Sequence, residues 1–356
     1  MIVRRMHNKK IVPLLLIAVM AVSVCAGCAT DSSKAGGVLY ETWMSTGDMT
    51  QQLTRGSIDG FIAWEPITSN ATVGGTGTAL AYSDTIWQDH PCCVLVASRA
   101  GLEKLGGDAV LGMVWAHVKA TRFINDPQNY NKTVQSVVLT AAVNSTTARE
   151  SLKHITYTDE PSVQDAREVY NELESASYLK KNVSALGYVN VDQFLNSIVD
   201  PAYVKEVKDR LAEDPNWTPP RTNTTINLGL LSDDSHKLAS VVALTDDYYA
   251  SVGLNINVKY YSDGPALVEG FKSGDIDMGY CGIAPVLIKA INDDIGTTII
   301  AAANDEGSAL IVKTQGAIHT LSDLESKTIA APGSGTMQDL LLRKVAAQQN
   351  LTVAIK

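Results

Sequence analysis

The stretch 332–349, PGSGTMQDLLLRKVAAQQ, holds the residue types best suited to gripping an anion. Gly333 and Gly335 allow tight backbone conformations, and Ser334 or Thr336 can cap the helix that follows. Free N–H groups and the positive helix end would then converge on one point. No Lys-Ser/Thr pair follows the glycines, so this is not a phosphate-binding P-loop. A capped helix with solvent at its start has the same sequence, and both readings stand. Nowhere does the chain place a nucleophile and a base at a recognisable catalytic spacing. Of five cysteines, Cys25 and Cys28 lie near the start, leaving Cys92, Cys93 and Cys281. Adjacent cysteines on a strand are expected on opposite faces, so a Cys92–Cys93 bond would be strained and buried free thiols are expected. No His/Cys spacing suggests zinc, and neither metal nor cofactor is expected.

Two similar elements must position such a site. Residues 271–290 (FKSGDIDMGYCGIAPVLIKA) read as a helix end, a Gly turn, a short apolar strand and a helix opened by Pro285. Residues 53–69 (LTRGSIDGFIAWEPITS) repeat the pattern, with Gly56, Ile58, Asp59 and Pro66 standing where Gly274, Ile276, Asp277 and Pro285 stand. Such units place backbone N–H groups at the mouth of a sheet, and two of them predict two facing lobes. Further strands are expected at 38–44, 92–97, 226–231, 254–261, 298–303, 308–312 and 327–331, with another beginning at 352. Residues 71–77 read as a Gly-rich loop and 101–211 as mostly helical. The stretch 214–225 (DPNWTPPRTNTT) holds three prolines and no periodicity, so it reads as a linker.

The chain has 356 residues, 45% apolar and 19% charged, with a net charge of −9. That balance disfavours nucleic acid or anionic lipid as a general partner. Residues 1–28 read as an export signal: Arg4, Arg5, Lys9 and Lys10 form a basic front to an apolar stretch too short to span a bilayer comfortably. Its end, Cys25-Ala26-Gly27-Cys28, is similar to a lipoprotein cleavage box, which would make Cys28 the lipidated first residue; an ordinary signal peptide and an uncleaved anchor are the alternatives. Residues 29–37 would be a tether holding the protein to the outer face of the cytoplasmic membrane. Seven Asn-x-Ser/Thr sequons, from Asn70 to Asn350, suit an exported chain.

Residues 226–350 resemble the first part of the substrate-binding proteins of ABC importers for nitrate, sulfonates and taurine. The text that carries the resemblance is INLGLLSDDSH, YYSDGPALVEGFKSGDIDMGYCGIAPVLI, AAANDEGSALIV and LSDLESKTIAAPGSGTMQDLLL. Residues 39–126 resemble the part that normally follows, through GDMTQQLTRGSIDGFIAWEP, SDTIWQDHPCCVLVAS and AHVKATRFIND. The order is reversed, as in a circular permutation that joining Lys356 to Gly36 would undo. A domain-swapped dimer and a truncated gene are the rivals to closure within a monomer.

The resemblance implies an α/β, two-lobed, type II periplasmic-binding-protein fold in permuted chain order. One lobe would hold 37–90 and 320–356, the other 91–312, with hinges near 87–92 and 312–321. It implies capture of a small ligand and delivery to an ABC permease. The implied ligand contacts sit at loop mouths: Ser232, Ser235, His236, Cys281, Gly282, Ala284, Glu306 and Ser308 in one lobe, and Ser334, Gly335, Thr336, Gln338, Trp64 and Glu65 in the other. Hydroxyls and N–H donors suit sulfonate or nitrate, while the carboxylates suit the amine of taurine or a thiamine-precursor pyrimidine that could stack on Trp64. The alternative function is an enzyme or sensor module on the same fold.

Overall fold

The computed structural model describes residues 36–356, so the export signal and Cys28 lie outside the described residues. Twelve strands form two six-stranded sheets. They are β1 (Val38–Trp43), β2 (Gly60–Trp64), β3 (Gly77–Tyr82), β4 (Pro91–Ser98), β5 (Ile155–Tyr157), β6 (Thr224–Leu231), β7 (Leu254–Tyr261), β8 (Met278–Gly282), β9 (Thr297–Glu306), β10 (Ser308–Lys313), β11 (Thr328–Ala331) and β12 (Thr352–Ile355). The first sheet runs β12-β1-β11-β2-β10-β3 and the second β5-β9-β4-β8-β6-β7. The expected α/β, two-lobed class is therefore present.

The two sheets share one plan. In each, three parallel strands are followed by an antiparallel crossing strand: β1, β11 and β2 before β10, and β7, β6 and β8 before β4. The repeated Gly-Ser/Asp-Ile-Asp text builds the same joint twice. Gly56 and Gly274 take left-handed conformations, φ 75° and 74°, which end their helices cheaply because no Cβ is present. The Asp59 carboxylate accepts the Thr328 N–H at 2.8 Å, and the Asp277 carboxylate accepts the Asn227 N–H at 2.9 Å. Each acid thus pins the start of its strand to the neighbouring strand.

Strands β2, β4 and β8 are buried along their whole length, as continuous apolar text predicts for strands covered on both faces. The helices of 99–213 pack on the second sheet through Val110, Val114, Val118, Val169 and Leu173. Helix Met337–Gln348 covers one face of the first sheet with Leu341, Leu342 and Val345.

Head and tail of the described chain meet. Val38 pairs with Thr352 and Glu41 with Ile355, in parallel. Three expectations change. Residues 308–312 form β10, which pairs with β2 in the first sheet, so the passage between lobes is at Gly307 and not at 312–321. Residues 71–73 end a helix, Ile67–Val73, because Asn70, Ala71 and Thr72 supply a full turn before the glycines. The short strand β5 interrupts the helical stretch, since Ile155 and Tyr157 reach the edge of β9.

Candidate functional site

The chain crosses between the sheets twice, and the crossings touch. The Glu306 N–H donates to His90 O at 3.0 Å, and the Asp89 N–H donates to the Glu306 carboxylate at 3.1 Å. Gly307, at φ 84°, then turns the chain into β10. Around this double crossing the lobes are latched: the Ser235 N–H donates to Glu65 O at 3.0 Å, the Glu65 N–H to Gly307 O at 2.9 Å, and Trp64 Nε1–H to Asp233 O at 3.3 Å.

Beside the latch lies a small cavity of about 20 Å³. Trp64, Thr336, Met337 and Gln338 line it from one lobe, and Cys92, Cys93, Asp234, His236 and Gly282 from the other. That is room for about one water molecule, so a larger solute must part the lobes to enter.

Local structure sets each group. Asp234 turns the loop after β6 by accepting the His236 N–H at 2.8 Å. His236 then gives Nε2–H to Gly307 O at 3.0 Å, which leaves Nδ1 facing the thiols of Cys92 at 3.6 Å and Cys93 at 3.4 Å. The expectation that the two cysteines face opposite ways fails, because the β4–β9 register slips on both sides of Cys93. Such a bulge re-aims side chains, and the two sulfurs end 3.9 Å apart as free, buried thiols.

The electrostatics follow from burial. The hydrogen bond from Cys93 and the nearby His236 charge hold the Cys92 thiol well below its usual range, while the same bond and burial push Cys93 up. Burial works to lower His236, but the Cys92 and Asp234 charges outweigh it and raise the imidazole to about 9. Burial raises Glu65 and Asp234. The arrangement differs from a nucleophile triad: Asp234 lies nearest Nδ1, at 3.7 Å, on the thiol side, and the far nitrogen meets a backbone carbonyl.

Of the residues expected at the site, Trp64, His236, Gly282, Thr336 and Gln338 line the cavity. Ser308 stands behind it, accepting from Gln338 Nε2 at 3.0 Å. Ser235 and Glu65 form the latch, and the buried Ser235 Oγ and Glu65 Oε1 have no hydrogen-bond partner. Cys281 and Ala284 are core, Ser232 and Ser334 are exposed, and Glu306 belongs to the crossing. Thr336 caps its helix by accepting the Asp339 N–H at 3.2 Å, and the Gly335 N–H donates to the Asp339 carboxylate at 2.7 Å. The helix thus supplies its own anion at the N-terminus where a ligand anion was expected. Sequence reasoning missed Cys92, Cys93, Asp234 and Met337 as lining residues; the acid in the Ser-Asp-Asp-Ser-His loop was the one legible hint.

Residues 229–344 match the family of periplasmic substrate-binding proteins of ABC transporters for phosphonate, and residues 43–138 match the NMT1-like family. A protein of Brucella abortus (strain 2308), provisionally named a binding protein, is 27% identical over 121 residues, which are 34% of this chain and 36% of that one. A protein of Brucella suis biovar 1 (strain 1330), named in the same way, matches to the same extent, so the chain spans about a third of the length of these relatives. NikA of Staphylococcus aureus, solved with Ni(L-His)2, gives a TM-score of 0.33 at 10% identity over 76% of this chain and 56% of its own. AgaA of A. tumefaciens R10, a PBP solved with agropinic acid, gives 0.33 at 10% identity over 85% and 58%. Scores this low say nothing about the ligand of this chain.

Proposed function

We propose that this protein is an extracytoplasmic solute-binding protein that encloses a small ligand between its lobes and presents it to an ABC permease. The observation that carries the proposal is the cavity lined from both sheets next to the only two chain crossings, among the described residues, that join them. Such a joint lets the lobes swing, and a ligand touching both favours the closed form.

No Lys or Arg is among the lining residues, whereas Asp234 is. A neutral or amine-bearing solute therefore fits better than nitrate or a simple sulfonate. Taurine would place its ammonium on Asp234, and an aminopyrimidine would use Trp64. Export and lipidation at Cys28 belong to the same proposal, and intact mass of the mature chain from its membrane fraction checks them.

The chain order reads as a permutation of that family's order. The parallel pairing of β1 with β12 puts Lys356 beside Glu41. Gly36 is then roughly 17 Å away at about 3.3 Å per residue. Restoring the family order would need a short linker, or β12 released to serve as one.

Scattering of the purified chain with and without taurine or an aminopyrimidine tests the clamp. A smaller radius of gyration with one of them supports it. Tight binding with no change in radius would rule out closure.

A further inference from the structure

The three donors at the latch have the spacing of a metal site. Sγ of Cys92, Sγ of Cys93 and Nδ1 of His236 stand 3.9, 3.6 and 3.4 Å apart. Bonds of about 2.3 Å to sulfur and about 2.0 Å to nitrogen, at tetrahedral angles, separate donors by roughly 3.5–3.8 Å. All three residues are buried, and all three line the cavity.

The surroundings are those of a ligand set. His236 donates Nε2–H to Gly307 O at 3.0 Å, which leaves Nδ1 as the nitrogen that would take an ion in place of its proton. A backbone carbonyl in that role is the usual support for a metal-bound imidazole. The β-bulge at Cys93 brings two neighbouring sulfurs to one side, which a regular strand would not do. Cys281, equally buried, lies outside the group.

We propose that Cys92, Cys93 and His236 bind one thiolate-preferring d10 cation, Zn(II) or Cu(I), with its open position towards the cavity. The proposal rests on the solute-binding reading and deepens it: the captured species is the ion, alone or with a small co-ligand held against Trp64 and Gln338. Two thiolates and an imidazole select such an ion over Mg(II) or Ca(II), which need oxygen donors. Cys92 and Cys93 belong to one crossing between the lobes and Gly307 to the other, so the ion would tie both crossings together.

The full chain, reduced and stripped with chelator under argon, is titrated with Zn(II), Cu(I) and, as a spectroscopic probe, Co(II). One equivalent of Zn(II) or Cu(I) should bind. Co(II) should give a thiolate-to-cobalt charge-transfer band. Cys92→Ser and His236→Gln should each weaken binding by more than the roughly 100-fold that loss of an outer-shell partner causes. Cys281→Ser should leave it unchanged. Absence of stoichiometric binding by the wild-type chain would overturn the site, as would binding indifferent to Cys92→Ser and His236→Gln in variants whose circular dichroism is intact. Taurine or aminopyrimidine binding in a chain that takes no metal would overturn this inference and keep the solute-binding reading. Failure of every ligand would sink both.

Discussion

Cys93 and His236 meet at 3.4 Å although 143 residues separate them, and they do so where the two lobes are joined. The contact needs three things at once: the slip in β4, the Asp234 turn and the Gly307 carbonyl. Each can be disturbed alone.

Gly307 is the sharpest test of that geometry. A Cβ there would lie 2.3 Å from His236 Nε2, and its φ of 84° strains any side chain. Gly307→Ala should therefore push the imidazole away and cost about 1–3 kcal/mol of stability. Ligand or metal affinity should fall at least about ten-fold, as outer-shell losses do. Titration and urea unfolding of the same sample read both effects. Unchanged affinity would show that the His236 position does not matter.

His117 gives a pH signature away from the site. Its ring meets Tyr280 OH at 3.0 Å and Ala302 O at 2.7 Å, and burial lowers it to about 4 despite the Asp159 charge. Between that value and an ordinary one near 6.5, the unfolded chain binds the extra proton. Stability from this group is thus complete above about 6.5, falls as pH drops, and levels below about 4. The loss is on the order of 3 kcal/mol for so buried a group. Glu41, raised by burial and Asp339 to about 8, and Asp305, raised by burial to about 7, respond with the opposite sign. The difference between wild type and His117→Gln in urea melts from pH 4 to 7 isolates the term. A flat difference would refute it.

β12 is an edge strand of four residues, and its neighbour β1 keeps β11 on its other side. Deleting 352–356 should weaken the first sheet without dissolving it, because only partly buried Val353 leaves the core cluster. The expected cost is about 1–3 kcal/mol with little change in denaturant slope. Loss of the whole lobe, seen as a second unfolding transition, would mean the tail closes the sheet more firmly than its contacts suggest.

The paired acids should differ in weight. Asp277 is nearly buried and also takes Lys104 Nζ at 2.8 and 2.9 Å, whereas Asp59 is exposed. Replacement by Ala should cost about 2–3 kcal/mol at Asp277, where a partly buried N–H loses its charged acceptor, and about 1 kcal/mol at Asp59. Equal costs in denaturation would show that the two joints are not graded by burial.

Much of the fold was legible because it is written in local text. Gly56 and Gly274 mark turns by themselves, and the apolar runs 92–97 and 278–282 announce buried strands. Gly307 was missed as the boundary because Ser308–Lys313 reads as a strand whichever sheet receives it, and only pairing with Trp64 and Ala63 decides. The helix start at Thr336 was visible, but Asp339, three residues on in the same turn, was not recognised as the acid that fills it. The cysteines were misjudged because strand alternation fails at a bulge, and a bulge leaves no mark in Pro91-Cys92-Cys93.

Native mass spectrometry of the reduced full chain, offered Zn(II), taurine and an aminopyrimidine in turn, tests the central claim that a solute sits between the lobes. The account predicts a one-to-one complex with at least one of them, weakened by Trp64→Phe and Gln338→Leu on one lobe and by Asp234→Asn on the other. A chain that binds none, or a complex indifferent to changes on both lobes, would contradict it.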